Sequence, residues 1–177
     1  MDLKSTDRAT VFVEVHSKGL LGALEHHLVF RGAPEALVVT GVSESGEVDV
    51  AIEASIEIAK LQPPADASSS DRERMVDKLW SRDVLDLKRW PKLTLSGRYK
   101  GGLDSGTLTG DLVVRGTPRA IVFAVRGTKV DATTRRFEAT WEGTQTDLGI
   151  KPFRAMLGAL QLRDWAKIRV EIELGAL

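Results

Sequence analysis

The 177-residue chain contains no cysteine, which excludes disulfide bonds, thiolate catalysis and zinc sites built on cysteine. It also has no excess of charge of either sign, because 25 Lys and Arg residues balance 25 Asp and Glu residues. This balance argues against nucleic acid as a partner. It also provides no electrostatic attraction to anionic lipid.

Long apolar stretches are missing as well. No run approaches the roughly 18 apolar residues of a membrane span, and the opening MDLKSTDRAT lacks the apolar core of a signal peptide. We therefore expect a protein without a membrane span that resides in the cytoplasm. The length predicts one domain over residues 1–177.

The common catalytic motifs are also absent from the sequence. It contains no GxSxG, no GxxxxGK[ST], no GxGxxG and no HExxH. The acidic residues alternate along apolar runs, which is typical of the solvated face of a sheet. We therefore expect a protein that is not an enzyme and that needs no cofactor.

What the sequence does contain is a hydrophobic pattern of period two. VDVAIEASIEI (48–58) and KIRVEIEL (167–174) place apolar and charged side chains on opposite faces, as in antiparallel strands with one packed face. Weaker candidates of the same kind lie at 27–31, 36–42, 92–99, 106–115, 120–130 and 135–146. About eight strands at such short spacing predict a sandwich or a barrel.

One α-helix interrupts the strands, predicted over about 70–84. Ser70 and Glu73 have the spacing of a capping box, and Pro91 prevents continuation of the helix. An apolar stripe at helical spacing predicts that the helix packs onto the strands. It consists of Met75, Val76, Leu79 and Trp80.

A second irregular segment, about 150–164, predicts a short helical turn or loop. Phe153, Met156, Leu157 and Leu160 are spaced for one face of a helical turn. Methionine and leucine on a short element suit an adaptable lid over one end of a barrel.

The order of these elements resembles the YceI-like family, from about Thr10 to Leu174. Trp90-Pro91 resembles the family's "yP" stop before a strand, and LTGDLVVRGTPRAIVF (108–123) resembles its "tGdLtlhGvtkpvt" hairpin. TDLGIKPFRAMLGALQLRD (146–164) is similar to the "sdfGIkPy…lGalklrD" ending of one branch. The family's "GHDL" reads EHHL here (25–28), and Arg115 replaces the histidine of "tlhG".

The resemblance implies a closed or nearly closed, lipocalin-like antiparallel barrel, in a family with members that bind polyisoprenoid chains. A barrel of eight strands is either filled by side chains or holds one small ligand. Our first hypothesis is that the chain binds, carries or sequesters an apolar chain of isoprenoid or fatty-acid type. Large apolar residues on strands and on the lid are the candidate ligand contacts, with Arg115 as a candidate for an acidic head group. They are Phe12, Phe30, Phe123, Phe137, Trp141, Phe153, Met156, Leu157 and Leu160.

Two alternatives remain open from the sequence. The second hypothesis is a structural or interaction protein with a filled barrel, acting through its surface or as a homodimer. The third is a metal-dependent enzyme that uses His16 and His26 with Glu25. Neighbouring residues of a strand point to opposite faces, so His26 and His27 do not share one ion there. We therefore predict no metal site, with His26 bonded to local backbone groups and His27 facing solvent.

Overall fold

The computed structural model of the chain describes residues 3–4, 9–18, 25–44, 47–65, 68–152, 154–155 and 160–175. Most of these residues belong to one antiparallel sheet, which confirms the predicted mainly-β architecture. Its strands are β1 (Leu3–Lys4), β2 (Ala9–Lys18), β3 (Glu25–Gly32), β4 (Ala36–Glu44), β5 (Glu47–Glu57), β6 (Lys92–Gly101), β7 (Ser105–Val114), β8 (Thr117–Lys129), β9 (Thr134–Gly143), β10 (Arg154–Ala155) and β11 (Leu160–Gly175).

The order of the strands makes the sheet curl into a nearly closed barrel. The order is β1-β4-β5-β6-β7-β8-β9-β11-β2-β3, and β10 pairs with β11. β3 and β4 thus stand near opposite ends of the sheet, yet only residues 33–35 separate them. Because consecutive Cα atoms are about 3.8 Å apart, Gly32 and Ala36 lie within about 15 Å of each other. The sheet therefore curls so that its two ends approach each other at these residues, as in the predicted barrel.

A short backbone bridge contributes to the closure beside β3. After β5 the chain forms a 3-10 helix over Ile58–Lys60 and then runs past β3. The amide of Arg31 donates to the carbonyl of Gln62 at 2.9 Å, and the amide of Gln62 donates back at 2.7 Å. The edge of β3 is therefore partly paired, and fewer of its backbone groups depend on solvent.

Each strand separates an inner face from an outer one, because successive side chains point to opposite sides. β8 shows this most clearly. Ile121, Phe123 and Val125 are buried, whereas Val122 and Ala124 between them are exposed. The inner face thus carries the core that the period-two pattern predicts.

The helix α1 spans Ser69–Trp80, which is shorter at its carboxyl end than the predicted 70–84. It starts one residue before the proposed cap Ser70, and the first carbonyl to accept a helical bond is that of Ser68, from the amide of Arg72 at 2.9 Å. After Trp80 the chain turns, because the Ser81 hydroxyl donates to the carbonyl of Lys78 at 2.7 Å. A carbonyl already bonded by a local side chain favours the end of a helix.

Helix α1 packs on one part of the barrel interior. Met75 and Leu79 contact a buried cluster of Val15, Phe30 and Ala166. The same turn of the helix also packs against a larger cluster that includes Ile58, Leu85 and Phe123, through Leu79 and Trp80. The apolar stripe of the helix therefore seats it on the strands, as predicted.

The segment expected to be a helical lid is extended where the structure describes it. Arg154 pairs with Gln161 and Ala155 pairs with Leu160 in an antiparallel ladder, so the helical prediction is wrong for these residues. Backbone pairing between β10 and β11 replaces the helical bonds that this short segment would form. Residues 153 and 156–159 lie outside the described part of the chain. Among the described residues, no helix combines the length and apolar character that crossing a membrane requires.

Candidate functional site

A cavity of about 670 Å³ occupies the barrel interior. Its volume falls within the roughly 300–1,000 Å³ that is typical of small-molecule sites. Its wall is formed by residues of eight strands, most of them inward-facing, and by three loop residues, Pro34, Leu61 and Leu103. The strand residues are Ala9, Val11, Val13, Leu37, Val39, Val48, Val50, Ile52, Ala54, Ser55, Ile56, Leu93, Thr94, Leu95, Tyr99, Leu108, Leu112, Phe123, Val125, Phe137, Ala139, Ile168, Val170, Ile172 and Leu174.

The part of the cavity wall that the structure describes contains no charged side chain. Of its polar residues, Tyr99 points inward, whereas the register partners Ser55 and Thr94 on β5 and β6 direct their side chains outward, because their neighbours Ala54 and Leu95 face the cavity. The Tyr99 hydroxyl donates to the carbonyl of Gly102 at 2.5 Å, so its proton is already engaged. An uncharged hydrocarbon therefore matches this wall, whereas burying an ion there without a partner would be costly.

Tyr99 is the one phenol in the chain and is 5% exposed. Burial raises the pKa of Tyr99 above its ordinary value of 10.0, because the phenolate is less well solvated than in water. The residue therefore stays neutral at physiological pH and presents an aromatic ring to the cavity.

The interior is hollow because small side chains occupy many of its inward positions. Ala9, Ala54 and Ala139 line the cavity together with valines on five strands. Larger aromatic rings reach the wall from Tyr99, Phe123 and Phe137. Valine and alanine on facing strands do not extend far enough to fill a barrel of this size by themselves.

Two of the predicted contact residues, Phe123 and Phe137, line the cavity. Phe12 does not, because Val11 and Val13 face inward and the alternation of β2 turns Phe12 outward. There the guanidinium of Arg169 lies 4.0 Å from the centre of the Phe12 ring. This distance is that of a cation–π interaction.

Phe30 and Trp141 also lie away from the cavity. Phe30 is buried in the cluster beneath helix α1, and Trp141 packs between that cluster and the larger one. Phe30 and Trp141, which we expected to contact a ligand, therefore pack in the core near the helix instead. Arg115 lies in the turn between β7 and β8 with φ of +51° and is not part of the cavity wall.

The proposed lid contacts cannot be placed in the same way. Phe153, Met156 and Leu157 fall outside the described residues. Leu160 begins β11, where its backbone pairs with Ala155. A contact between these four side chains and a ligand stays a prediction from the sequence.

His16 and His27 form a cluster with Trp165 on the outer face of β2 and β3. His16 and His27 are register partners, with ring centres 4.9 Å apart, and the Trp165 ring lies 4.2 Å from His16. His27 is exposed, and its Nε2 atom lies 2.9 Å from a carboxylate oxygen of the buried Glu14. The side chain of His26 is outside the described part. Among the described residues, no three His, Asp or Glu side chains are grouped to hold a metal ion.

Sequence reasoning missed most of the wall because it concentrated on large rings. Tyr99 and the inward residues of β5 were not among the candidates, although Val48, Val50 and Ile52 belong to the clearest alternating run. That alternation was the available signal. It identified the packed face but not the part of it that borders empty space.

The fold and the cavity define a class of protein, an antiparallel β-barrel with an apolar interior site. The family model for the YceI-like domain matches residues 22–174. The chain belongs to the YceI-like family. No curated protein gives a significant match to the chain.

Solved structures with the same fold differ strongly from the chain in sequence. BcnA of Burkholderia cenocepacia is 10% identical with a TM-score of 0.65, over 97% of this chain and 99% of BcnA. A polyisoprenoid-binding domain of Saccharophagus degradans, implicated in plant cell wall breakdown, is 13% identical with a TM-score of 0.55, over 96% and 99%. A YceI protein of Campylobacter jejuni is 15% identical with a TM-score of 0.55, over 78% and 88%. These similarities establish the fold.

Proposed function

We propose that this protein binds a neutral or weakly polar hydrocarbon chain, of isoprenoid or fatty-acyl type, inside its barrel and carries or sequesters it. The observation that supports this proposal is the cavity of about 670 Å³, whose described lining residues carry no charged side chain. Membership of the YceI-like family supports this proposal, since one solved structure of the same fold is a polyisoprenoid-binding domain.

The energetics favour a chain ligand that makes no specific polar contact. Each buried methylene contributes about 0.8 kcal/mol, so ten contribute about 8 kcal/mol. Association costs about 4 kcal/mol or more in lost freedom. A ligand long enough to fill the cavity therefore retains a favourable balance. A short one does not.

A binding role suits the wall better than a catalytic one. Among the described residues of the wall, the hydroxyl that strand alternation directs into the cavity is the phenol of Tyr99, which already donates to the Gly102 carbonyl. General acid–base or nucleophilic catalysis would need a partner group within hydrogen-bond reach of such a hydroxyl. The filled-barrel hypothesis requires a packed interior, which does not match a cavity of this volume.

The test is to fill the cavity by mutation and measure uptake of a fluorescent prenol. Ala139 borders the cavity on β9, whereas Ala124 is exposed on the outer face of β8. We expect Ala139→Trp to abolish uptake, because the indole occupies the space of the ligand. The matched control Ala124→Trp adds the same group outside the barrel and should bind like the parent protein.

Thermal unfolding of both variants checks that they fold. Inserting a large side chain into a packed interior costs about 1–3 kcal/mol, but insertion into empty space costs less. If Ala139→Trp and Ala124→Trp take up the prenol equally, the ligand does not bind in the barrel interior. Absence of uptake by the parent protein for prenols and fatty alcohols alike would end the proposal.

A further inference from the structure

A second pocket, of about 340 Å³, lies on the outside of the protein near the end of helix α1. Three segments that are distant in sequence form it: the turn after helix α1, the turn from β7 into β8, and the loop after β9. Four of its residues are arginines, namely Arg82, Arg89, Arg115 and Arg119. We call this set the arginine pocket.

The arginine pocket concentrates positive charge in a protein whose formal net charge is zero. Among the described residues of its wall, the acidic one is Asp86. Among the described residues, none of the four arginines lies within 4.0 Å of a carboxylate oxygen, whereas Arg98, Arg135, Arg136 and Arg169 all do. Asp83 also interacts electrostatically with Arg82 and Arg115. Four guanidinium groups beside two carboxylates leave an excess of positive charge around one concave surface, which attracts small anions.

Arg119 adds a buried donor to this arrangement. Its Nε atom is buried without a hydrogen-bond partner in the structure. Its terminal nitrogens lie against Gly149, where an added Cβ would collide with the guanidinium, and φ of Gly149 is +73°. A buried charged donor without an acceptor is unfavourable, so a negative charge in the pocket would compensate part of this cost.

The backbone and an aromatic ring hold the rest of the pocket in place. Arg115 has φ of +51° and Gly116 has φ of +70°, which form a tight left-handed turn between β7 and β8. The Trp90 ring rests on Gly116, where a side chain would collide with the indole. The guanidinium of Arg89 lies 5.2 Å from the centre of that ring, a cation–π distance.

From this arrangement we infer that the arginine pocket binds a phosphate-bearing anion of diphosphate type. Guanidinium groups pair with phosphate oxygens through two parallel hydrogen bonds, and their charge does not depend on pH in the physiological range. Several such groups around one pocket favour an anion with several charges over a single carboxylate. None of the pocket residues lines the barrel cavity, so this inference is independent of the hydrocarbon ligand.

Calorimetric titration with inorganic pyrophosphate tests the inference, together with cosedimentation on phosphatidylglycerol vesicles against phosphatidylcholine vesicles. The first arm reports a free phosphate ligand, and the second reports a lipid head group. The variant is Arg82→Gln/Arg89→Gln, whose two side chains are exposed, so the fold should persist. The control Arg126→Gln removes one charge from the exposed face of β8, away from the pocket.

We expect binding in at least one arm, weakened about tenfold or more in the double variant, because charge-assisted hydrogen bonds are lost. Arg126→Gln should bind like the parent protein. Pyrophosphate should also raise the midpoint of thermal unfolding more than sodium chloride of equal ionic strength. Failure of both arms in the parent protein, or equal weakening in Arg126→Gln, would overturn the inference.

Discussion

The hydroxyl of Tyr99 donates a hydrogen bond of 2.5 Å to the carbonyl oxygen of Gly102. This bond joins the last residues of β6 to the turn before β7 and fixes the phenol at the cavity wall. It also satisfies a polar group that would otherwise face an apolar space. Tyr99 therefore both stabilises the fold and forms part of the proposed binding site.

Because the chain has a single tyrosine, ultraviolet titration of phenolate formation reports Tyr99 alone. We expect a midpoint above the ordinary value of 10.0, since burial raises the pKa of Tyr99. The associated stability is complete below pH 10.0 and is lost as the pH rises through the raised pKa, because the folded state binds the proton more tightly. The unfolded protein in denaturant should titrate at the ordinary value. Tyr99→Phe should show no transition, and a folded midpoint at or below 10.0 would contradict the burial.

A series of saturated alcohols of increasing length should map the cavity. Each added methylene is expected to strengthen binding by about 0.8 kcal/mol, or about fourfold in Kd, until the cavity is full. Longer alcohols should then gain little, because further groups extend into water. Displacement of the fluorescent prenol measures the series.

Comparison of each alcohol with the carboxylic acid of the same length tests the uncharged wall. We expect the alcohol to bind at least as tightly, because none of the described lining residues of the cavity is cationic. Binding that is independent of chain length, or consistently tighter binding of the acid, would contradict the assignment of the cavity.

Phe123 belongs both to the buried core and to the cavity wall, so its truncation should lower the free energy of unfolding. It is 1% exposed and lines the cavity, whereas the next residue, Val122, is 57% exposed. Phe123→Ala is expected to lower the free energy of unfolding by about 3 kcal/mol, the lower end of the range for buried phenylalanines, because one side of the ring already borders empty space. Val122→Ala should cost about 0.5–1 kcal/mol. Urea denaturation measures both, and equal losses would contradict the inward orientation of Phe123.

Part of this structure could be predicted from the sequence. The alternation of β5 separates inward Val48 and Val50 from outward Asp49, which forms an ion pair with Arg98 across the sheet. The same alternation in β2 predicts that Phe12 points outward, since Val11 and Val13 occupy the inner face. Phe12 was nevertheless predicted to contact a ligand, because its ring is large. Local periodicity therefore determines which face a residue occupies.

Other features depend on distances that periodicity does not contain. The volume of the cavity depends on how far side chains from opposite strands extend towards each other. The arginine pocket combines residues 82–90, 115–119 and 149, and their proximity follows from the path of the folded chain. The end of helix α1 coincides with local hydrogen bonds to its last carbonyls, among them the bond from the Ser81 hydroxyl to Lys78, which the hydrophobic stripe does not predict.

Arg169 is the outer-face residue whose loss should be most costly. Glu14 is buried at 8% exposure on the same face, and Nε of Arg169 lies 3.8 Å from its Oε1 atom. The guanidinium also stacks on Phe12. Arg169→Met retains the apolar stem but leaves the Glu14 carboxylate with His27 as its remaining close partner. We expect a loss of about 1–3 kcal/mol in the free energy of unfolding, measured in urea.

Arg136→Met is the matched control, because Arg136 also forms an ion pair, with Glu173 at 2.5 Å, but on a more exposed part of the surface. Exposed pairs contribute about 0–1 kcal/mol whatever their length, since water solvates each partner alone. In the Arg169→Met background, Glu14→Gln should restore part of the lost stability by removing the buried charge. Equal losses for the two arginine variants, or no recovery with Glu14→Gln, would show that burial of Glu14 does not determine the value of this contact.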